Sequence, residues 1–154
     1  MAEKLEFTGE RFTPECVREI SYEHIHRYAF AQAFVKGLSV LDAACGEGYG
    51  SALLAESAGS VVGVDISENA IGHARERYAS ENLEFRQGDC TDLPFADDEF
   101  DCVISFETLE HLDNQQGLLQ AFRRVLKPDG FLLVSTPDKA IYTDKQGNRN
   151  EYHV

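Results

Sequence analysis

The stretch VLDAACGEGYG, residues 40–50, decides the fold, because it joins an apolar run to a turn with three glycines. The segment Ser39 to Cys45 is typical of a buried strand, and Tyr49 to Ala58 is typical of a helix. Glycines between them let the chain turn tightly and let a ligand approach the backbone closely. In an open α/β sheet this first turn lies beside the point where ligands bind. The stretch therefore predicts a strand, a ligand-binding turn and a helix.

Short apolar runs alternate with amphipathic segments along the rest of the chain. Further strands are predicted at residues 61–66, 83–86, 100–106 and 131–135. Further helices are predicted at about residues 14–35, 67–79 and 115–126. Ser67 is a plausible N-cap, and Lys127 to Gly130 is turn sequence that ends the last helix. Alternation of this kind predicts an α/β fold, a three-layer α/β/α sandwich with a mostly parallel sheet.

The composition limits the classes of protein and partner that are possible. The 154 residues suit a single globular domain, and 43% of them are hydrophobic. The formal net charge is −13, and the basic residues form only short clusters on predicted helices. A surface of this charge repels a phosphate backbone, so no nucleic acid is expected as a partner.

Two further expectations concern location and metals. No apolar run reaches the ~18–20 residues of a membrane span, and residues 1–10 do not resemble a signal peptide. We therefore expect a cytoplasmic protein without a membrane span. The four cysteines, Cys16, Cys45, Cys90 and Cys102, form no CxxC pair, and the histidines form no ligand pattern, so we expect no metal.

Acidic residues follow two neighbouring predicted strands. Asp65 ends the second strand, 19 positions after Gly46, and Asp89 follows the third strand. A carboxylate at the first position can accept hydrogen bonds from both hydroxyls of a ribose, and one at the second from an adenine amino group. Together with the glycine turn, these carboxylates predict a site for an adenosine-containing ligand.

Four stretches carry a resemblance to a known family: residues 40–50, 61–67, 88–112 and 124–137. On these motifs the chain resembles the class I S-adenosylmethionine-dependent methyltransferases, whose fold is Rossmann-like. The resemblance implies S-adenosyl-L-methionine (SAM) as cofactor and S-adenosyl-L-homocysteine (SAH) as product.

Family roles can be placed on matching positions. The resemblance assigns the methionine moiety and the sulfonium to Asp42, Ala44, Cys45, Gly46 and Gly48. It implies that Asp65 holds the ribose hydroxyls and that Ile66 packs on the adenine. Asp89 and Cys90 would meet the adenine edge, and Phe106 would border the donor methyl group. We expect the cysteines there to be space-fillers rather than nucleophiles, because the neighbourhood is acidic.

The acceptor side is less defined. His111 follows the fourth strand and is the best candidate for a general base, because an ordinary histidine titrates near neutral pH. The alternative is a structural or cofactor-lining histidine, and Glu107 and Glu110 are weaker candidates. The motif [DNS]PP[YFW], which many N-methyltransferases of planar amino groups carry, is absent. The sequence therefore favours methyl transfer to oxygen.

Segments near the two ends of the sequence resemble a subgroup of this family. Residues 9–15, 22–35, 135–143 and 150–154 are similar to bacterial methyltransferases that are encoded with polysaccharide-assembly enzymes. They indicate a small-molecule or sugar-linked acceptor. Tyr22 and Arg27 are expected to meet the donor carboxylate, since arginine pairs bidentately with such groups. The alternative is a surface arginine and a core-facing tyrosine.

The chain also departs from the family, which normally adds two strands after the fifth. We expect a sheet of order 3-2-1-4-5, with an N-terminal helical lead-in at 1–37, a donor-binding core at 38–137 and a polar tail at 138–154. The chain is then a piece of a longer enzyme, a domain that self-associates through the fifth-strand edge, or a domain that binds donor but is catalytically incomplete.

A dinucleotide oxidoreductase is the competing class. Its GxGxxG turn would need a third glycine at position 51, which is Ser51. The oxidoreductase class also gives no reason for Asp42 or for the stretch at residues 88–112. The choice of cofactor separates the two classes.

Overall fold

The computed structural model describes the backbone of residues 18–137 and the side chains of residues 22–137. Four helices lie there: α1 (Arg18–Gln32), α2 (Tyr49–Ala55), α3 (Glu68–Arg77) and α4 (Gln115–Val125). Five strands lie there: β1 (Ser39–Ala43), β2 (Ser60–Asp65), β3 (Leu83–Gln87), β4 (Phe100–Phe106) and β5 (Leu126–Ser135). The start of the predicted lead-in, Cys16 and the predicted polar tail lie outside the described residues.

The five strands form one parallel sheet of order β3-β2-β1-β4-β5. This confirms the predicted α/β class, the parallel sheet and the strand order. The central strand β1 pairs with β2 and β4, with Val40 opposite both Val61 and Cys102. All strands run the same way, so their carboxyl ends meet at one edge of the sheet.

Helices cover both faces of the sheet. On one face, Tyr28 and Ala31 of α1 and Leu54 of α2 pack with apolar strand residues. On the other face, Leu118 and Phe122 of α4 pack in a second cluster. No helix among residues 18–137 has the length and apolar character that crossing a membrane requires.

Helix starts follow local capping chemistry. The Ser67 hydroxyl accepts a hydrogen bond from the Ala70 amide at 3.3 Å, which confirms Ser67 as the N-cap of α3. Asn114 caps α4 in the same way, accepting from the Gly117 amide at 3.0 Å. The sequence prediction began this helix at the correct residue without naming its cap.

The start of β5 differs from the prediction. The strand begins at Leu126 rather than at Phe131, and the expected turn at 127–130 lies inside it as an irregularity between the pairs Phe100–Leu126 and Cys102–Phe131. Pro128 favours extended backbone at the residue before it and has no amide hydrogen for the ladder. The turn sequence therefore makes a bulge in an edge strand.

The helix α2 is shorter than predicted, ending at Ala55 instead of Ala58. Residues 56–57 form a turn, and the Ala58 amide after it donates to the Leu54 carbonyl at 2.9 Å. The turn leads to Gly59, whose amide bonds the Leu38 carbonyl at the start of β1.

Gly50 tests the seating of α1 on α2. A Cβ at Gly50 would overlap the buried ring of Tyr28. We expect Gly50→Ala to lower the free energy of unfolding by about 1–3 kcal/mol, because overpacking displaces α1. Gly72→Ala is the control, since a Cβ there meets nothing within 4 Å in α3 and should stabilise by about 0.5–1 kcal/mol. Urea denaturation measures both, and equal effects of the two substitutions would contradict this packing.

Candidate functional site

The turn after β1 combines three residues with left-handed backbone. Ala44, Gly46 and Gly48 have φ values of 62°, 56° and 82°. Ala44 carries a side chain in this region, which is uncommon outside sites where the surroundings enforce it. A Cβ at Gly48 would lie 2.6 Å from the Phe85 ring, so only glycine lets α2 start so close to β3. The turn is therefore tightly determined by its neighbours.

Asp65 fixes this turn to the end of β2. One carboxylate oxygen accepts from the Gly46 amide at 2.9 Å, and the other accepts from the Ser67 amide at 2.8 Å. Each carboxylate oxygen has room for more than one hydrogen bond. The predicted proximity of the glycine turn and Asp65 is thus present, and the carboxylate can still accept from ligand hydroxyls.

Asp42 lies beneath the turn with no exposed surface. Its two oxygens accept from the Ser51 hydroxyl at 2.6 Å and the Tyr28 hydroxyl at 3.1 Å. Burial raises the pKa of Asp42 to about 7, while the two hydrogen bonds act in the opposite direction. The carboxylate supports the turn from below and changes its charge near neutral pH.

Tyr28 is a site residue that sequence reasoning missed. Its ring packs edge-on against Phe106, with centroids 5.1 Å apart, and against Tyr49 at 6.2 Å. Tyr28 thus joins α1 to the ends of both β1 and β4. The signal for it was the helical spacing of Tyr28, Ala31 and Val35, all of which are buried.

The two residues predicted to meet a donor carboxylate have different surroundings. Tyr22 is 71% exposed, near the start of α1. Arg27 is half-buried and pairs with Glu23 at 3.7 Å and Glu107 at 3.5 Å. Arg27 therefore lies at the carboxyl ends of the strands, whereas Tyr22 faces solvent.

The side predicted for adenine is formed by the ends of β2 and β3. Ile66 is 69% exposed, although it is a large apolar residue. Asp89 is exposed and accepts from the amide and hydroxyl of Thr91 at 2.8 and 2.7 Å, which lowers its pKa. Cys90 is buried there, and burial raises the pKa of its thiol to about 12.

The cysteines of the site are buried free thiols. Burial also raises the pKa of Cys45 well above its usual value, with the carboxylates of Asp42 and Asp65 adding to the effect. Nucleophilic cysteines need a stabilised thiolate. The raised pKa values of Cys45 and Cys90 therefore support space-filling roles. Within residues 18–137, no group of three or more His, Cys, Asp or Glu side chains is arranged to hold a metal.

Glu107 stands at the end of β4 in left-handed backbone, with φ of 54°. Its amide donates to the Ser135 carbonyl, and its carboxylate accepts from the Ser135 hydroxyl, both at 2.9 Å. These bonds join the ends of β4 and β5, and the Arg27 guanidinium lies 3.5 Å from the same carboxylate.

His111 ends a short 3₁₀ turn, Leu109–His111, that follows β4. Its Nε2 lies 3.7 Å from the Glu110 carboxylate, and its ring is partly exposed. Glu110 is buried and accepts from the Thr136 hydroxyl at 3.3 Å. Burial raises the pKa of Glu110. The structure therefore puts an accessible histidine beside a buried carboxyl group.

Comparison with known proteins identifies the family. A protein-family sequence profile described as a methyltransferase domain matches residues 41–134, more than half of the chain. The chain belongs to this methyltransferase family. Its strand order and its relatives agree with a class I SAM-dependent methyltransferase domain, for which SAM is the cofactor.

Two curated relatives and a solved structure illustrate the similarity. A protein of Mycolicibacterium smegmatis described as a probable SAM-dependent methyltransferase is 36% identical over 141 residues, 90% of this chain and 54% of the relative. A fatty-acid O-methyltransferase of the same organism is 38% identical over 105 residues, 67% of this chain and 38% of the relative. A SAM-dependent methyltransferase from Mesorhizobium loti superposes with a TM-score of 0.66 at 25% identity, covering 73% of this chain and 54% of that one.

The methyltransferase chain spans about half the length of the first of these relatives. The residues that match the family, 41–134, include the glycine turn, Asp65 and most of β5.

The buried Asp42 makes stability depend on pH. Its native pKa of about 7 exceeds the ordinary value of 3.8, so the native state holds this proton more tightly than the unfolded state. The stabilisation from that proton is complete below pH 3.8 and is lost as pH rises through 7. The side chain of Asp42→Asn does not titrate. We therefore expect the free energy of unfolding of this variant, relative to that of the wild type, to rise by about 2–3 kcal/mol between pH 5 and pH 8. Urea denaturation at both pH values measures this, and parallel pH dependences would contradict it.

Proposed function

We propose that this chain binds SAM at the carboxyl edge of its sheet and transfers the methyl group to an oxygen of a small-molecule or sugar-linked acceptor. The observation that carries the proposal is the pair of hydrogen bonds from Gly46 and Ser67 to Asp65. These bonds hold the glycine turn so that its backbone can face a ligand, and they keep the Asp65 carboxylate beside the turn.

The chain offers a distinct surface to each part of the donor. The methionine moiety and sulfonium are proposed to lie over the turn residues Asp42, Ala44, Cys45, Gly46 and Gly48. Asp65 accepts from the ribose hydroxyls. The exposed Ile66 packs on the adenine, and covering it would remove apolar surface from water. Asp89 and Cys90 meet the adenine edge, and Phe106 borders the methyl group.

The electrostatics of the site suit a cationic donor. Asp42 lies buried beneath the turn, Asp65 accepts a hydrogen bond from it, and the Phe106 ring adds an aromatic surface. Carboxylates and aromatic faces both stabilise a nearby positive charge. SAM supplies a methyl group already activated by its sulfonium. The protein then has to align the acceptor oxygen with the methyl carbon and exclude water.

His111 is the proposed general base. It is partly exposed at the carboxyl edge, where an acceptor hydroxyl can reach it. The proton of the hydroxyl moves to the imidazole as the oxygen attacks. The Glu110 carboxyl group at 3.7 Å lies where it can stabilise the resulting imidazolium. Tyr22 and Arg27 are proposed to receive the donor carboxylate.

Oxygen is favoured as the acceptor atom because the sequence lacks the motif of planar-amine N-methyltransferases. The sugar link rests on the resemblance of residues 9–15 and 22–35. The second candidate function is a domain that binds donor without catalysis.

Asp65→Asn tests the donor site. An amide cannot accept at both positions, so the turn and the ribose each lose a charge-assisted hydrogen bond. We expect the affinity for SAH, measured by calorimetry, to fall by about tenfold or more. Asp101→Asn is the matched control, because Asp101 also accepts a backbone amide, that of Ser39 at 2.9 Å, at the opposite edge of the sheet. Its SAH affinity should equal that of the wild type.

Equal losses in the two variants would contradict the site. Binding of NAD in place of SAH by the wild type would contradict the proposed function. Methyl transfer from SAM to a panel of hydroxylated and sugar acceptors then separates the two candidates. Turnover would establish the transferase, and SAH binding without turnover would favour the donor-binding domain.

A further inference from the structure

A pocket of about 280 Å³ lies between α1 and the carboxyl ends of β4 and β5. Most of its wall is apolar, formed by Phe30, Phe106, Leu133 and Val134. Phe30 is 57% exposed and Val134 is 47% exposed, so this wall faces solvent. Apolar side chains around a concave surface favour a ligand with an apolar body.

The pocket has a polar end. Arg27, His26 and Ser135 line it, and Glu107 links two of them through its contacts with the Arg27 guanidinium and the Ser135 hydroxyl. This arrangement places the N–H groups of Arg27 and His26, and the Ser135 hydroxyl oxygen as an acceptor, beside an apolar wall. Such groups recognise an oxygen-bearing group, either a hydroxyl or a carboxylate.

The pocket adjoins the proposed donor site through Phe106. Phe106 lines the pocket and also packs on Tyr28, whose hydroxyl binds Asp42 beneath the glycine turn. A methyl acceptor must approach the methyl carbon from the side opposite the sulfur, and Phe106 is proposed to border the methyl group while it also lines this pocket. A second pocket of about 290 Å³ lies near Leu83, at the start of β3, and is therefore at the opposite edge of the sheet.

We propose that the pocket between α1 and β5 binds the methyl acceptor, and that this acceptor has an apolar body and an oxygen-bearing head. The inference rests on the proposed function for the identity of its ligand as an acceptor. The apolar body lies on Phe30, Leu133 and Val134. The head lies toward His26 and Ser135, next to Phe106.

Straight-chain compounds of increasing length are suitable probes. Hexanoate, octanoate and decanoate, with the matching 1-alkanols, are titrated into the full chain with and without saturating SAH, and NMR or calorimetry gives each affinity. We expect the affinity to rise about threefold to fourfold for each added methylene, until the pocket is filled. Glucose, which has hydroxyls without an apolar body, should bind more weakly than any of these probes.

Two exposed phenylalanines give a matched pair of variants. Phe30→Ala removes part of the apolar wall and should lower the affinity for decanoate at least fivefold. Phe34→Ala is the control. Phe34 is similarly exposed, and its ring centroid lies 4.9 Å from that of Phe30, but it does not line the pocket. SAH affinity should stay unchanged in both variants.

The outcomes separate the two proposals. Affinity that is independent of chain length, or equal loss in Phe30→Ala and Phe34→Ala, would overturn the pocket assignment while SAH binding stands. Length-dependent binding without SAH binding would keep the apolar pocket and refute the donor site. Sedimentation is measured in parallel. A dimer that Phe30→Ala converts to a monomer, with probe binding unaffected, would make this surface a contact between copies and overturn the inference.

Discussion

The buried carboxylate of Asp42 is the constraint on which the rest of the structure depends. A carboxylate without access to water is unfavourable unless it is protonated or hydrogen-bonded. Ser51 supplies one donor from α2, and Tyr28 supplies the other from α1. Meeting this requirement therefore brings two helices onto the central strand. Once Tyr28 is seated, its ring contacts Phe106 at the end of β4, and the position of α1 determines one wall of the neighbouring pocket.

The functional edge is built from strand ends joined by carboxylates. Asp65 ties β2 to the glycine turn, and Glu107 ties β4 to β5. Each carboxylate uses its oxygens on backbone amides or hydroxyls of the protein, which fixes its orientation before a ligand arrives. Preorganised groups of this kind do not have to be reordered on binding. The same acidic edge suits a cationic sulfonium donor.

Much of the fold could be predicted because local patterns determine it. The alternation of apolar runs gave the strands, and the Ser67 cap gave the start of α3. The closeness of Gly46 and Asp65 followed from parallel strand ends meeting at one edge. Tyr28 could not be predicted as the partner of Asp42, because no sequence pattern fixes how α1 packs on the sheet, and only that packing brings the two side chains together. The β5 bulge was missed for a related reason, since Leu126 and Phe131 on either side of residues 127–130 pair with β4 and so keep these turn residues within the strand. The roles of His111, Tyr22 and Arg27 stay predictions.

A crystal structure of the chain with SAH tests the central claim most directly. The proposed function predicts that the ribose hydroxyls lie within hydrogen-bond distance of the Asp65 carboxylate. It also predicts the sulfur above the Gly46 turn, facing Phe106, and the adenine against Ile66. SAH bound elsewhere, or a ribose that leaves Asp65 facing solvent, would contradict the assignment of this edge as the donor site.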